Sequence, residues 1–218
     1  MRLLTCEFES QHYLGVDLGE HIFLPVRHSA WNKEIDSMLA LIDAGQQALA
    51  QLGVISSSPQ AHTLVSKSQL RLCATIIRPR QNVICLGLNY KDHVSETLAA
   101  RNEEVKLPRS PVVFTKAANS INGPYGDIEI DTGVSSKMDW EVELAVIIGK
   151  SGMSIIEENA LDYVFGYTVL NDVTARDRQK WHKQFYIGKS YKGCCPMGPV
   201  IVTADEIPDP HALDLRSW

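Results

Sequence analysis

The sequence contains no basic run, no internal repeat and no low-complexity segment. Because the formal net charge is also −5, the chain lacks the positive surface that nucleic acids or anionic membranes attract. The absence of repeats excludes a solenoid, and the ordinary composition makes overall disorder a poor interpretation. Small molecules are therefore better candidate partners than nucleic acids or membranes.

The sequence also lacks the paired cysteine spacing of a structural zinc site. The five cysteines are Cys6, Cys73, Cys85, Cys194 and Cys195, an odd number that we interpret as reduced thiols. No apolar run suggests a membrane-spanning helix, and charges at Arg2, Glu7 and Glu9 argue against a signal peptide. These features predict a cytoplasmic protein that does not enter membranes.

The composition that is present, with 44% hydrophobic and 22% charged residues among 218, is typical of a globular protein with a sizeable core. Short apolar runs alternate with turn signals at Gly15 and Gly19 over residues 1–27, which predicts a strand meander. Apolar residues at helical spacing predict an amphipathic helix from Trp31 to Leu52, ended by the stretch around Pro59. We expect a small N-terminal α/β domain over residues 1–75, with a loose boundary around 72–79.

Strands dominate the predicted second domain, residues 76–218. Strands are predicted at 82–88, 112–117, 139–149 and 166–173, and helical segments at 89–101, 157–166 and 174–181. The whole chain is therefore predicted to be an α+β protein that is mainly β.

Two acidic residues lie two positions apart in the predicted strand at 139–149. In a strand, Glu141 and Glu143 leave the same face, while Val142 and Leu144 leave the other. Ala145 and Ile147 continue the acidic face, which suggests that this face points toward the interior. Two neighbouring carboxylates repel each other and are costly to bury, so a cation between them would stabilise the arrangement.

A third acid, Asp172, follows the apolar strand that ends at Asn171, where functional groups are common. Three oxygen ligands favour Mg²⁺, Mn²⁺ or Ca²⁺ over zinc. An alternative remains open from spacing alone, because Glu141 and Glu143 could instead face solvent on an edge strand, where charges discourage aggregation.

The sequence resembles the fumarylacetoacetate hydrolase superfamily in five segments that occur in the order of the family. These segments are GLNYKDHVSE (87–96), PVVFTK (111–116), DWEVELAVIIG (139–149), GYTVLNDVTARDRQ (166–179) and IGKSYKGCCPMGP (187–199). Each motif alone is weak, but five in order form a specific signal. The resemblance implies a mixed β-roll over roughly residues 78–210, preceded by a variable N-terminal region.

The resemblance also implies roles for individual residues. Glu141, Glu143 and Asp172 would bind the divalent cation. His93 and Glu96 would form an acid/base dyad on a short lid helix, an assignment consistent with residues three apart sharing a helix face. The remaining implied residues are Lys189 as a catalytic cation, and Arg176, Gln179 and Lys116 as contacts to the substrate. Without the resemblance, His93 would be interpreted as a surface or core residue, and Arg176 as an exposed helix charge.

Two departures from the family pattern stand out. Relatives usually carry Asp or Thr at the position of Lys192, so the charge or polarity beside the pocket differs here. The chain also ends at Trp218, where relatives continue with further strands and a glycine-rich loop. We therefore expect an incomplete β-roll, and from the resemblance a homodimer.

The expected activity is metal-dependent hydrolysis of a C–C bond in a small 2,4-dioxo acid of the fumarylacetoacetate or acylpyruvate type. The same site could instead decarboxylate oxaloacetate, hydrate or isomerise an enol acid, or cleave ureidoglycolate, since each reaction passes through an anion that a metal stabilises. A further alternative is a catalytically inactive protein that binds metal or serves a structural role. The sequence does not separate these possibilities.

Overall fold

The computed structural model of the chain describes residues 1–90 and 109–217. Its N-terminal part is an antiparallel meander of β1 (Arg2–Phe8), β2 (Gln11–Asp17) and β3 (His21–Phe23), as the alternating pattern predicts. The first turn is made by Glu9 and Ser10, both at positive φ. Gly15, which we expected in a turn, instead lies inside β2, where the Ile22 side chain packs over it.

One eight-stranded sheet joins strands from the two ends of the described chain. Its further members are β4 (Leu64–Ser66), β5 (Arg71–Leu72), β10 (Val142–Ile148), β11 (Val164–Asn171) and β14 (Ile201–Thr203). The strand order is β10-β11-β14-β1-β2-β3-β4, and β5 also pairs with β1. The two proposed domains therefore share a sheet through the pairing of β1 with β14, and the boundary at residue 75 stays a prediction.

The main hydrophobic core also contains residues from both proposed domains. Leu3, Phe23 and Leu52 pack in the same cluster as Phe165 and Ile201, and all five are at least 95% buried. Burial of apolar surface is the dominant stabilising contribution to folding. The two ends of the chain therefore stabilise each other through this common core.

The single long helix among the described residues is α1 (Met38–Ser57), which begins later than the predicted Trp31. Ser37 caps it by accepting a hydrogen bond from the amide of Ala40 at 3.3 Å, and the preceding residues form turns. By length and hydropathy α1 is long and apolar enough to cross a membrane, which corrects our expectation that no segment is. In the structure its apolar side, including Leu41 and Leu52, packs in the core, as the core helix of a soluble fold does.

Small elements surround the sheet and carry the candidate site. The strands are β6 (Val83–Gly87), β7 (Val112–Lys116), β8 (Ile121–Asn122), β9 (Met138–Asp139), β12 (Thr174–Ala175) and β13 (Cys195–Pro196). They form three two-stranded sheets, β6 with β7, β9 with β12 and β8 with β13. Two short helices follow β12, namely α2 (Arg176–His182) and α3 (Phe185–Lys189). The α+β class is thus confirmed.

The segment at 157–166 was predicted to be helical, and the structure divides it. Residues Glu157–Tyr163 form a 3-10 helix, and strand β11 already begins at Val164. The predicted helix over 89–101 lies almost entirely outside the described residues.

Candidate active site

The acidic strand presents its carboxylates toward the interior, as its alternation predicts. In β10, Val146 and Ile148 are 47% and 59% exposed, whereas Ile147 packs against the core. Glu143 shares the face of Ile147 because side chains alternate along a strand. Glu141 directly precedes β10, and its side chain is only 17% exposed. The alternative in which these two acids face solvent therefore does not describe this structure.

The pairing of β10 with β11 brings Asp172 beside Glu141. Val142 pairs with Asn171 at the end of the ladder, and the amide of Asp172 donates to the carbonyl of Glu141 at 2.9 Å. Asp172 itself is 2% exposed. The two acids predicted from separate motifs are thus held next to each other by backbone hydrogen bonds.

Lys189 joins these two carboxylates. Its ammonium Nζ donates to Glu141 Oε2 and Asp172 Oδ2, and the residue is 2% exposed. The ammonium also lies 4.9 Å from the ring centroid of Phe114 on β7, a distance at which a cation is attracted to an aromatic face. Gly188 allows this placement, because a Cβ there would lie 2.7 Å from the backbone nitrogen of Gln179 on α2.

Lys116 is a second buried cation beside Asp172. Its Nζ lies 2.7 Å from Asp172 Oδ1 and donates to the carbonyl of Val173 at 3.1 Å, and the residue has no exposed surface. The contact with Oδ1 is an ion pair that lacks hydrogen-bond geometry, so this buried oxygen has no hydrogen-bond partner. Asp172 thus lies between two lysines, while Lys116 contacts the backbone beneath the site.

Arg176 is the first residue of α2, and its guanidinium spans the acids at the mouth of the cluster. It donates to Asp139 Oδ2 at 2.8 Å, to Glu141 Oε1 at 2.6 Å and to Gln179 Oε1 at 3.2 Å. Arg176 and Gln179 therefore lie beside Asp139 and Glu141. In this arrangement their polar atoms contact protein groups, and their role in substrate binding stays a prediction.

The electrostatic environment separates the two glutamates. Burial of Glu141 disfavours its charge, but Lys189 and Arg176 outweigh that effect and lower its pKa to about 2. Burial raises the pKa of Glu143 to about 7, and the negative charges of Glu141 and Asp172 act in the same direction. Two carboxyl groups in one site therefore differ in proton affinity, which is typical of functional sites.

The donor set fits a hard divalent cation in its chemistry. Glu141, Glu143 and Asp172 all offer oxygen, and an ion at Asp172 Oδ1 would share that oxygen with the Lys116 ammonium, 2.7 Å away. The three acids do not form a closed cluster, since the group of described residues whose ligand atoms all lie within 4.8 Å is elsewhere. The Lys189 ammonium donates to both Glu141 and Asp172 and so occupies the space between these two carboxylates. Their role as metal ligands stays a prediction, and His93 and Glu96 lie outside the described residues.

A cavity of about 360 Å³ is lined by residues that lie close in sequence to Asp139 and Lys189. It is lined by the loop from Glu129 to Met138 and by Tyr191 and Lys192, the latter two following Lys189 closely. Lys192, which departs from the family pattern, is 84% exposed and lies 3.7 Å from Glu129. The departure therefore places a positive charge at the rim of a cavity.

Sequence reasoning missed two members of the cluster. Asp139, which pairs with Arg176, belongs to the quoted DWEVEL segment, but only its glutamates were considered. Tyr90 accepts a hydrogen bond from the amide of Leu144 at 3.4 Å and also interacts with Glu143. No local sequence pattern predicts the role of Tyr90, because its contact with Leu144 joins residues that are far apart in sequence.

Comparison with known proteins agrees with this fold. The family model described as fumarylacetoacetate (FAA) hydrolase C-terminal matches residues 82–218. An oxaloacetate tautomerase, YisK of Bacillus subtilis, is 48% identical over 155 residues, which cover 71% of this chain and 50% of that protein. The structure of fumarylacetoacetate hydrolase from Exiguobacterium antarcticum has 38% identity and a TM-score of 0.74, and covers 96% of this chain and 69% of that one.

A further structure is maleylpyruvate hydrolase from Sphingobium sp. SYK-6 in complex with manganese(II) and pyruvate. It has 25% identity and a TM-score of 0.71, and covers 96% of this chain and 70% of that one.

The chain has a mixed α+β fold, and it buries acids and lysines at the end of two paired strands. A buried cluster of charged groups of this kind is typical of an enzyme's polar site. The chain belongs to the fumarylacetoacetate hydrolase family, as its motifs predict. It spans about half the length of curated relatives that it matches.

Proposed function

We propose that this chain forms the site of an enzyme that binds a small 2-oxo acid and interconverts the keto and enol forms of oxaloacetate. The proposal depends on the buried cluster in which Lys189 joins Glu141 and Asp172. The similarity to an oxaloacetate tautomerase over 71% of the chain supports this reaction. It replaces C–C bond hydrolysis as the leading hypothesis, and both reactions require an enolate to be stabilised.

In this proposal a divalent cation, Mg²⁺, Mn²⁺ or Ca²⁺, is held by Glu141, Glu143 and Asp172. When bound, it supplies a Lewis acid that favours the enolate over the keto form. Manganese in the neighbouring maleylpyruvate hydrolase supports a divalent ion. Burial and the negative charges of Glu141 and Asp172 raise the pKa of Glu143 to about 7, against the weaker opposing effect of Lys189, so a cation beside this carboxyl group would favour its charged form.

The charges of the cluster suit an anionic substrate. Four acids, Asp139, Glu141, Glu143 and Asp172, face three cations, Lys116, Arg176 and Lys189. With every group ionised the cluster is negative by one charge, and a divalent ion would make it positive by one. A dicarboxylate such as oxaloacetate would then be attracted, and Lys189 is the buried cation closest to the carboxylates that hold the ion.

Tautomerisation moves one proton and needs groups that take it and return it. The C–H bond at the carbon between the keto and distal carboxylate groups breaks, and an O–H bond forms on the keto oxygen. We assign the removal of this proton to His93, oriented by Glu96, on the strength of the resemblance. Lys189 would stabilise the negative charge that develops on the oxygen before it is protonated.

The test is the loss of the ultraviolet absorbance of enol-oxaloacetate on mixing with protein and Mg²⁺ or Mn²⁺. The catalysed rate is the observed rate minus the spontaneous rate. We expect Glu141→Gln and His93→Gln to lower this catalysed rate by about a hundredfold or more. Glu158→Gln, which changes an exposed glutamate on the 3-10 helix, is the matched control and should retain the wild-type rate. Metal-independent turnover, or equal rates in all four proteins, would refute the proposal.

Hydrolysis of a 2,4-dioxo acid is the second candidate, supported by the fumarylacetoacetate hydrolase and maleylpyruvate hydrolase structures. Assays of the same protein should therefore include an acylpyruvate, with pyruvate formation as the readout. Oxaloacetate decarboxylation and ureidoglycolate cleavage complete the panel. Stoichiometric metal binding without turnover of any panel member would instead favour the noncatalytic alternative.

A further inference from the structure

The N-terminal sheet brings together three potential metal ligands far along the chain from the carboxylate cluster. Glu7 on β1 pairs directly with His12 on β2, and Cys73 follows β5, with its amide donating to the carbonyl of Thr5 at 2.9 Å. Thr5 and Glu7 leave the same face of β1, and Cys73 lies opposite Thr5. Three neighbouring strands thus direct a carboxylate, an imidazole and a thiol to one point.

The ligand atoms of these three side chains lie within 4.8 Å of one another, and no other trio of His, Cys, Asp or Glu side chains in residues 1–90 and 109–217 does so. Glu7 Oε2 and His12 Nε2 are 3.8 Å apart. Cys73 is 5% exposed, whereas the side chains of Glu7 and His12 are 31% and 54% exposed. The group therefore has a buried floor and an open side through which an ion could enter.

We propose that Glu7, His12 and Cys73 form a second metal site, for a borderline-soft divalent cation such as Zn²⁺ or Co²⁺. Sulfur and imidazole ligands favour these ions over Mg²⁺ or Ca²⁺. One thiolate, one imidazole and one carboxylate leave a fourth tetrahedral position for water. Cys73 loses its thiol proton to solvent when the ion binds, so the net reaction exchanges one proton for one cation.

Arg71 would compete with a metal ion for the carboxylate of Glu7. It pairs with Glu7 across β1 and β5, and its guanidinium contacts Glu7 Oε2. Because the Arg71 side chain is 68% exposed, this ion pair contributes little to stability and can be exchanged for a metal bond. The arrangement predicts that removing Arg71 strengthens metal binding, which an accidental cluster with no affinity for metal would not do.

The test is titration of the full chain with Co²⁺, followed by the sulfur-to-cobalt charge-transfer absorption. Only a thiolate ligand produces this band, so the carboxylates around Glu141 do not produce it, and its loss in Cys73→Ser distinguishes Cys73 from the other four cysteines. We expect Cys73→Ser to abolish the band and His12→Gln to weaken Co²⁺ binding by about tenfold or more. Zn²⁺ should displace Co²⁺ and remove the band.

Two further variants give the experiment its controls. His21→Gln changes an exposed histidine on β3 and should leave the band and affinity at wild-type values. Arg71→Gln should tighten Co²⁺ binding several-fold. A wild-type titration without a charge-transfer band, or a band that survives in Cys73→Ser, would overturn the proposal, whatever the oxo-acid assays show.

Discussion

At the scale of single residues, the buried charges decide how the candidate active site is held. Lys116 is fully buried and contacts Asp172 and the carbonyl of Val173. A cation without exposed surface can orient a carboxylate, and it also compensates the charge that burial would otherwise penalise. The structure therefore suggests a positioning role for Lys116, beside the substrate contact predicted from its motif.

We expect Lys116→Met to lower the free energy of unfolding by about 3–5 kcal/mol, because the buried carboxylate of Asp172 loses one of the two cations beside it and the carbonyl of Val173 loses its donor. Urea denaturation in the presence of a chelator measures this change. Lys192→Met is the matched control, since that side chain is 84% exposed and its loss should change stability by less than about 0.5 kcal/mol. Similar stabilities for the two variants would contradict the positioning role.

Sequence alone could predict which face Glu143 occupies, but not what the acids contact. The alternation of β10 determines the face, because successive strand residues point in opposite directions. The pairing of Asp172 with Lys116 and Lys189 joins three distant segments, and no local pattern specifies it. The order of the motifs indicates that these residues belong to one site. The position of Lys189 between the carboxylates of Glu141 and Asp172 is visible only in the folded structure.

At the scale of elements, the helical backbone of α1 is interrupted at one residue, which the regular spacing of its apolar residues does not indicate. Gly45 has a φ of 71° and a ψ of −159° within the helix Met38–Ser57, a conformation available essentially only to glycine. Apart from its chain neighbours and the backbone of the helix itself, no described part of the chain lies within 4 Å of the position that a Cβ would occupy. Any penalty for a side chain there is thus a backbone penalty rather than a steric clash.

Gly45→Ala should destabilise the protein by about 1–3 kcal/mol, since alanine is strained in this conformation. Gly53→Ala is its counterpart in the same helix. That position is helical, and a Cβ would meet only Met1 at ordinary contact distances, so we expect stabilisation by about 0.5–1 kcal/mol. Thermal unfolding followed by circular dichroism measures both, and changes of the same sign would contradict this account of the kink.

Elements with a long, regular pattern were predictable, whereas those created by distant pairing were not. The meander of β1, β2 and β3 and the long strand β10 follow from local alternation. The two-residue strands β8 and β13 exist because Ile121 pairs with Cys195. Neither segment alone has a pattern that predicts a strand. The predicted helix start at Trp31 is wrong because Trp31 and Ile35 have the spacing of a helix but lie before it. The N-cap residue Ser37 marks the actual start.

At the scale of the whole molecule, the continuous sheet bears on the predicted division into two domains. Strand β1 lies between β2 and β14, and the main core contains Leu3 as well as Ile201. Contacts of this kind couple the stability of the segments that they join. The change in predicted elements around residues 72–79 indicates a boundary in the sequence, but it carries no information about strands that pair across it.

We therefore expect the chain to unfold in one cooperative transition, reported equally from both sides of residue 75. Trp31, 3% exposed, reports on the N-terminal side, and Trp181 on α2 reports on the other. Two variants that each retain one of these tryptophans, with Phe at the other tryptophan positions, should each give a fluorescence midpoint in urea that coincides with the circular-dichroism midpoint of the same variant. If Trp31 and Trp181 instead reported separate transitions, the regions 1–75 and 76–218 would behave as independent domains despite their common sheet.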